Sequence, residues 1–368
     1  MISIAVSFFI IILSLAISSG FRHEIREGVS QISGDVQLSS VGSDLLSGSE
    51  SISSKPSYLD RISKLKGVKS IEPVVYRAGI VRKDGSIQGV LFKGMGSDST
   101  TLSADIPSRL ARKLNLSLGD RMQTYFISDK VKARNFEVTG IHDSVIDTDE
   151  NIVVKVSLQD LQRVNGWSTD EVSALEIMLE DNFRSSTGMK RMAAEIGSTA
   201  LMFAQEDEDT LVAGSAADRY ASMFDWLQLI DTNVLAILAL MIIVAGFNMI
   251  SGLLILLFQN IRTIGILKSM GMTDRGISGV FLRVAARNAG IGLIIGNICA
   301  ILLCLIQSCT HLVRLNPENY FVSYVPVSLN PATILMTDAA AFTAIMLLML
   351  LPCLFISKVD PADTIRVS

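Results

Sequence analysis

The sequence predicts a membrane protein of four spanning helices, with one large α+β domain inserted between the first two. Three observations predict this class. Apolar residues gather in four blocks, whereas residues 21–230 have the mixture of an ordinary water-exposed domain. The chain is 49% hydrophobic and 18% charged, and its mean hydropathy of +0.44 is high for a soluble protein. No Lys or Arg falls within any of these blocks, and Arg262, Lys268, Arg275, Arg283 and Arg287 flank the second and third. The formal net charge is only −4, so no basic excess points to nucleic acid.

The first block, MISIAVSFFIIILSLAISSG at 1–20, has the roughly 20 apolar residues that a spanning helix needs. It carries no charge before Arg22, whereas a secretory signal opens with a basic segment and has a shorter apolar core. A spanning helix with an atypical or truncated start is preferred over a signal peptide. Residues 21–230 follow as the inserted domain, then a second span at 231–258. A short basic helix and the start of the third helix occupy 259–288, and the third span itself 289–310. A loop at 311–331, a fourth span at 332–357 and a tail at 358–368 complete the chain. Pro352 kinks the fourth span without forbidding it.

Orientation follows from the basic loops. Arg262, Lys268, Arg275, Arg283 and Arg287 lie between the second and third spans, and Lys358 and Arg366 follow the fourth. Four crossings put these two regions on one face, taken as cytoplasmic. The inserted domain and the 311–331 loop then lie outside, with Trp226, Tyr320 and Tyr324 near the outer interface.

Inside the domain, SIEPVVYRAGIVRKDGSIQGVLFKGM alternates apolar and polar residues around Asp84-Gly85, a hairpin signal. IPSRLARKLNLSLGD reads as an amphipathic helix, and NFEVTGIHDS, NIVVKVS and EVSALEIML as strands. Ser157 and Asp160 have capping-box-like spacing before LQDLQRVNG, and a further helix covers about 187–196. The pattern is α+β with two subdomains. Residues 39–57 are serine-rich and read as a flexible loop.

Chemistry is sparse. The four cysteines, Cys299, Cys304, Cys309 and Cys353, lie in or beside spans and read as apolar fillers, leaving the domain to fold without disulfides. His23, His142 and His311 lack ligand spacing, so no metal site is expected. No phosphate-binding glycine loop, nucleophile elbow or H-E-x-x-H occurs. Asp147, Asp149 and Glu150, like the acidic run at 206–209, read as charged turns. No catalytic residue and no resident cofactor are expected.

The most informative stretch is NIRTIGILKSMGMTDRGISGVF at 260–281. Gly271 suits the left-handed residue that ends a helix, and Thr273 suits the cap of the next. Arg262, Gly265 and Ser269 share a narrow face, with Ile264, Leu267 and Met270 on a broad apolar one. Two readings of this elbow stay open on physical grounds: a plain interfacial turn with basic anchors, or a docking element for a cytoplasmic partner. Gly292 and Gly296 in the third span permit close helix approach.

The stretch IRTIGILKSMGMTDRGISGVF resembles the coupling segment of FtsX/MacB-type ABC transporter permeases. YASMFDWLQLIDTNVLAILALMIIVAGFNMISGLLILL (220–257), VTGIHDS…VIDTDENIVVKVSLQDLQRVNGW and the terminal DPADTIR are similar to the lipoprotein-releasing LolC/LolE branch. The likeness covers nearly the whole chain. It implies a four-helix permease with a MacB-like periplasmic core and an FtsX-like membrane domain, in the bacterial inner membrane. It also implies coupling to a separate LolD-like ABC ATPase, which binds the ATP and Mg, through Arg262, Gly265, Ile266, Leu267, Lys268, Met270 and Gly271. Further implied partners are a second permease copy or paralogue, acylated lipoprotein cargo and a LolA-like periplasmic chaperone. The place matching the family's chaperone-gripping hook is Asn165, Gly166, Trp167, Ser168, Thr169 and Asp170, with surface packing the alternative for Trp167. Phe8, Phe9, Met241, Phe247 and Met249 are assigned to a cavity for acyl chains. Departures are plain: Gln259, Asn260 and Ile261 stand where the family has an acid, the usual cytoplasmic lead is missing, and the hook lacks the proline of one branch. Rival readings are a MacB-like peptide or drug exporter and an FtsX-like signal transmitter.

Overall fold

The computed structural model describes residues 2–42, 50–96, 102–127, 131–146, 148, 152–206 and 208–353. Asp147, Asp149, Glu150 and the terminal DPADTIR lie outside these. The chain divides into two compact units. One comprises residues 1–22, 227–314 and 324–368, and the other residues 23–226 and 315–323.

In chain order the elements begin with helix α1 (Ile2–Ser33). Next come β1 (Val36–Ser40), β2 (Ile52–Ser53), α2 (Leu59–Ile62), β3 (Val68–Lys83), β4 (Ser86–Met95), β5 (Ser103–Pro107) and α3 (Ser108–Leu114). They are followed by β6 (Arg121–Phe126), β7 (Lys132–His142), β8 (Val153–Ser157), α4 (Leu158–Asn165), β9 (Glu171–Val172) and β10 (Ala174–Leu179). The domain closes with α5 (Ser186–Phe203), β11 (Leu211–Ser215) and α6 (Ala216–Arg219). The long α7 (Ala221–Gln259) leads to α8 (Ile261–Ser269) and α9 (Asp274–Thr310), then α10 (Pro317–Tyr320), α11 (Pro331–Leu348) and α12 (Leu350–Cys353).

Among the described residues, four helices are long and apolar enough to cross a membrane: Ile2–Ser33, Ala221–Gln259, Asp274–Thr310 and Pro331–Pro352. In the helical unit they share a core of Ile4, Phe8, Ile12, Ala245, Met249, Ala285, Ala289, Ala341 and Ile345. Small residues set its spacing. A Cβ on Gly296 would lie 2.5 Å from the Ala5 carbonyl oxygen and 2.9 Å from the Phe8 Cβ, and one on Gly292 would lie 2.8 Å from the Ile4 Cγ2. Helices in lipid gain nothing from exchanging lipid tails for leucines, so close backbone approach supplies the contact energy. Near one end, Ser18 donates to Asp231 at 2.7 Å and Arg22 pairs with the same carboxylate at 3.4 Å, tying α1 to α7.

Among the described residues the outer domain is built on a nine-stranded sheet, β11-β1-β10-β3-β4-β8-β5-β7-β6, with β3 also pairing β6. The first half of β3, Val68–Val74, pairs with β10, and the second half with β4; Ile80–Arg82 pair with β6 as well. One long strand therefore serves an open lobe, backed by α5, and a lobe whose strands close on themselves through β3–β6. The two lobes share this strand, and residues 23–226 fall in one compact unit. The β3–β4 hairpin turns at Asp84 and Gly85, whose φ values of 50° and 86° are those of the tight turn the sequence announced. The closed lobe is filled by Phe92, Phe126 and Phe136, with Phe92–Phe126 centroids 5.0 Å apart, edge to face.

A buried polar knot holds the open lobe. The Lys93 ammonium on β4 pairs with Glu176 on β10 at 2.8 Å, and Tyr76 on β3 donates to the same carboxylate. Lys93 also donates to the Gln31 and Ile32 carbonyls at 2.8 and 3.2 Å, capping the last turn of α1. Burial pushes the Lys93 ammonium below its usual range and Glu176 above the usual carboxylate range, each partly offset by the other.

Two local expectations are revised. Ser157 stands at the N-cap of α4 without a side-chain cap hydrogen bond, and Asp160 instead accepts from the Leu102 amide at 2.7 Å, serving tertiary structure. Within the serine-rich stretch, Ile52 is buried and Ile52–Ser53 pair with Glu171–Val172, so part of that stretch is a strand.

Candidate functional site

The elbow between α7 and α9 is fixed by three kinds of contact. Gly271 has φ +90°; its amide donates to the Lys268 carbonyl at 2.9 Å and the Met272 amide to the Leu267 carbonyl at 3.0 Å. That double bond pattern is the Schellman end of a helix, open at no steric cost only to glycine. Two residues later, Thr273 accepts from the Gly276 amide and caps α9. Beneath the elbow, Ile264 of α8 packs with Leu257 of α7 and Ile277 of α9.

The faces differ from the sequence reading. Gly265 is buried beside Ile264, and Leu267 is half-buried. Lys268 is paired with Asp274 at 2.9 Å, an acid placed in the first turn of α9 where the helix dipole favours it. Met270 is the C-cap residue and turns away from the apolar face, 79% exposed. Among the exposed residues of α8 and its C-cap, Arg262, Ile266 and Met270 fall on successive turns, with Ile266 48% exposed. This places an exposed cation in line with two exposed apolar side chains on a short helix fixed at both ends.

The outer turn is smaller. Asn165 ends α4, and Gly166 at φ +78° breaks it. Trp167 is half-buried and its amide donates to the Gln162 carbonyl at 2.9 Å, while Gly166, Ser168, Thr169 and Asp170 are exposed. Gln162 reaches across the turn to the Thr169 and Glu171 carbonyls at 3.0 and 2.9 Å. The Ser168 amide and the Ser51 hydroxyl both donate to Glu171, holding its carboxyl below the usual range. The turn is a compact knuckle that exposes Gly166, Ser168, Thr169 and Asp170, with Trp167 half-buried and the Asn165 side-chain amide buried.

The proposed acyl-chain residues do not share one environment. Phe8 is fully buried against α9, and Phe9 and Met241 pack on the same core. Phe247 is 67% exposed on the outside of the bundle. Met249 lines a cavity of about 250 Å³ with Ser3, Asn248, Gly252 and Asn288, where Asn248 donates to Ser3 at 2.6 Å. Helical periodicity alone did not separate these positions, because α7 is apolar all round. The loop after the third span joins the outer unit: Glu318 pairs with Arg109, and Trp226 meets Tyr320 and Phe321 edge-on at 6.2 and 5.7 Å. Among the described residues no group of three or more His, Cys, Asp or Glu is gathered as for a metal ion.

The family described as "FtsX-like permease C-terminal" matches residues 235–361, which contain the elbow. The Lipoprotein-releasing system transmembrane protein LolC of Xylella fastidiosa (strain Temecula1) is 20% identical over 395 residues, covering 99% of this chain and 92% of that protein. The LolC of Neisseria meningitidis serogroup B is 21% identical, covering 97% of this chain and 90% of its own length. The LolE of Haemophilus influenzae is 21% identical, with 99% and 92% covered. The periplasmic region of MacB from Actinobacillus actinomycetemcomitans aligns over 53% of this chain and 95% of its own at 10% identity, with a TM-score of 0.30, too low to carry a conclusion. The chain is thus similar to LolC and LolE along nearly its full length, and its region 235–361 matches the FtsX-like permease C-terminal family.

Proposed function

We propose that this chain is the membrane subunit of an ABC transporter that releases acylated lipoproteins from the bacterial inner membrane, with its outer domain in the periplasm. The observation that carries the reading is similarity to LolC and LolE along 97–99% of the chain. Its physical support is the elbow: a short helix locked to two spans, with Arg262, Ile266 and Met270 turned outward. A separate ATPase, which binds the ATP and Mg, docks on that face. The permease pairs with a second copy or a paralogue, and nucleotide-driven closure of the ATPases moves the spans.

The energetics require a shielded path. Each acyl methylene buried in the bilayer contributes about 0.8 kcal/mol, so one long chain holds with roughly 10 kcal/mol and three approach 30. Expulsion into water would exceed the ceiling of about 18–21 kcal/mol for noncovalent affinity. The chains therefore pass between apolar surfaces from bilayer to acceptor, a periplasmic chaperone engaged by the knuckle at 165–170. The test is reconstitution with the ATPase and a labelled acylated lipoprotein. ATP-dependent transfer to a soluble lipoprotein-binding chaperone supports the reading. ATP turnover with export of peptides only, or with activation of an outer partner and no cargo, supports a MacB-like or an FtsX-like role instead.

A further inference from the structure

Asp338 is the one charged residue of α11. It is the eighth residue of that helix, about 10 Å along from its first turn, and is only 6% exposed. Its Oδ2 accepts a hydrogen bond from Asn297 Nδ2 on α9 at 2.5 Å. Asp338 Oδ1 and Asn297 Oδ1 are both buried, and neither has a hydrogen-bond partner among the described residues. The apolar stretches 2–20, 232–259, 289–310 and 331–353 contain no other charged residue, so no cation in the spans can balance a carboxylate there.

An ionised group in that place would keep its charge in an apolar bundle on a single hydrogen bond, which a bilayer strongly disfavours. A carboxylic acid resolves both difficulties at once. It removes the charge, and its O–H is a donor for an acceptor that otherwise goes unsatisfied. We propose that Asp338 carries a proton in the folded bundle and forms with Asn297 a reciprocal acid–amide clamp between the third and fourth spans. Asn297 Nδ2–H donates to Asp338 Oδ2, and the Asp338 hydroxyl on Oδ1 donates to Asn297 Oδ1. The position suits a clamp. The neighbouring Gly296 is already closed against Ala5 and Phe8 of α1, so α9 is keyed by shape to α1 and by a proton-carrying pair to α11. In lipid, where apolar contact discriminates poorly between helices, such a pair supplies register. Release of lipoprotein is not needed for this inference.

The experiment is infrared spectroscopy of the full chain in lipid, with aspartate selectively carrying ¹³C so that the buried Glu176 is silent. The expected result is a protonated-carboxyl band at neutral pH that disappears in Asp338→Asn. That variant keeps the reciprocal pairing as amide to amide and should melt at the wild-type temperature, whereas Asp338→Leu should melt lower. In Asn297→Leu the band should persist and move towards the frequency of an unpaired acid, which tests the clamp even where a change at 338 prevents folding. Loss of carboxylate bands instead of the acid band in Asp338→Asn would overturn the protonation. An unshifted band in Asn297→Leu would overturn the pairing.

Discussion

The core of the helical unit and the core of the outer domain solve the same problem with opposite materials. The bundle sets Gly292 and Gly296 tight against α1 and places Ala285, Ala289 and Ala341 in its core among Ile4, Phe8 and Ile345. The outer domain uses large rings, Phe92, Phe126 and Phe136, and a buried Lys93–Glu176 pair. In water, removing large apolar area is itself favourable, so bulk stabilises. In lipid it is not, and fit between backbones replaces it. Small residues matter most in one unit, and big or charged ones in the other.

The sharpest way to break this comparison is Gly296→Leu. A side chain there meets the backbone of Ala5, which cannot step aside, so the cost should reach or exceed about 3 kcal/mol. Loss of the monodisperse peak in detergent chromatography would register it. In the outer domain the matching change is Lys93→Met, which leaves Glu176 buried without its cation and should cost about 3–5 kcal/mol. Adding Glu176→Met should restore most of that loss, and thermal melts of the two single variants and the double variant measure the coupling. Gly271→Ala is milder. The positive φ makes any side chain strained, by about 1 kcal/mol, and faster hydrogen exchange across 266–273 would show the loosened elbow.

The smallest effect is electrostatic and lies at the outer turn. Glu171 has its folded value lowered by the Ser168 amide and the Ser51 hydroxyl. The stabilisation it gives is therefore complete above its ordinary range, near pH 4.3, and is lost as pH falls through the lower folded value. Hydrogen-exchange protection of the Ser168 amide should stay flat down to that ordinary range and drop below it. Glu171→Gln should abolish the dependence.

Much of this architecture was legible in the sequence because the signals are local. Span length, the Asp84-Gly85 turn, Gly271 as a helix end and Thr273 as a cap each depend on a few adjacent residues. The polar part of α1 was also written there, unread: Phe21, Ile25, Val29 and Ile32 recur at helical spacing and are all buried, which carries the helix on to Ser33. What stayed hidden depends on distant residues. Nothing near Lys93 announces Glu176, because β3 lies between their strands. Gly265 was placed on a narrow face with Arg262 and Ser269 but is buried, beside the Ile264 that packs on Leu257 and Ile277 only in the folded elbow. The lone acid of the fourth span was visible as a letter, but its significance needed Asn297 beside it.

The claim on which the functional reading turns is that a partner ATPase grips the outward face of α8. The direct measurement is recovery of the co-expressed ATPase with the affinity-purified chain carrying Arg262→Glu, Ile266→Glu and Met270→Glu together. These side chains are exposed and contribute little to the elbow's own packing, so the permease should purify intact with the ATPase lost. Undiminished ATPase on an intact triple variant would contradict the account.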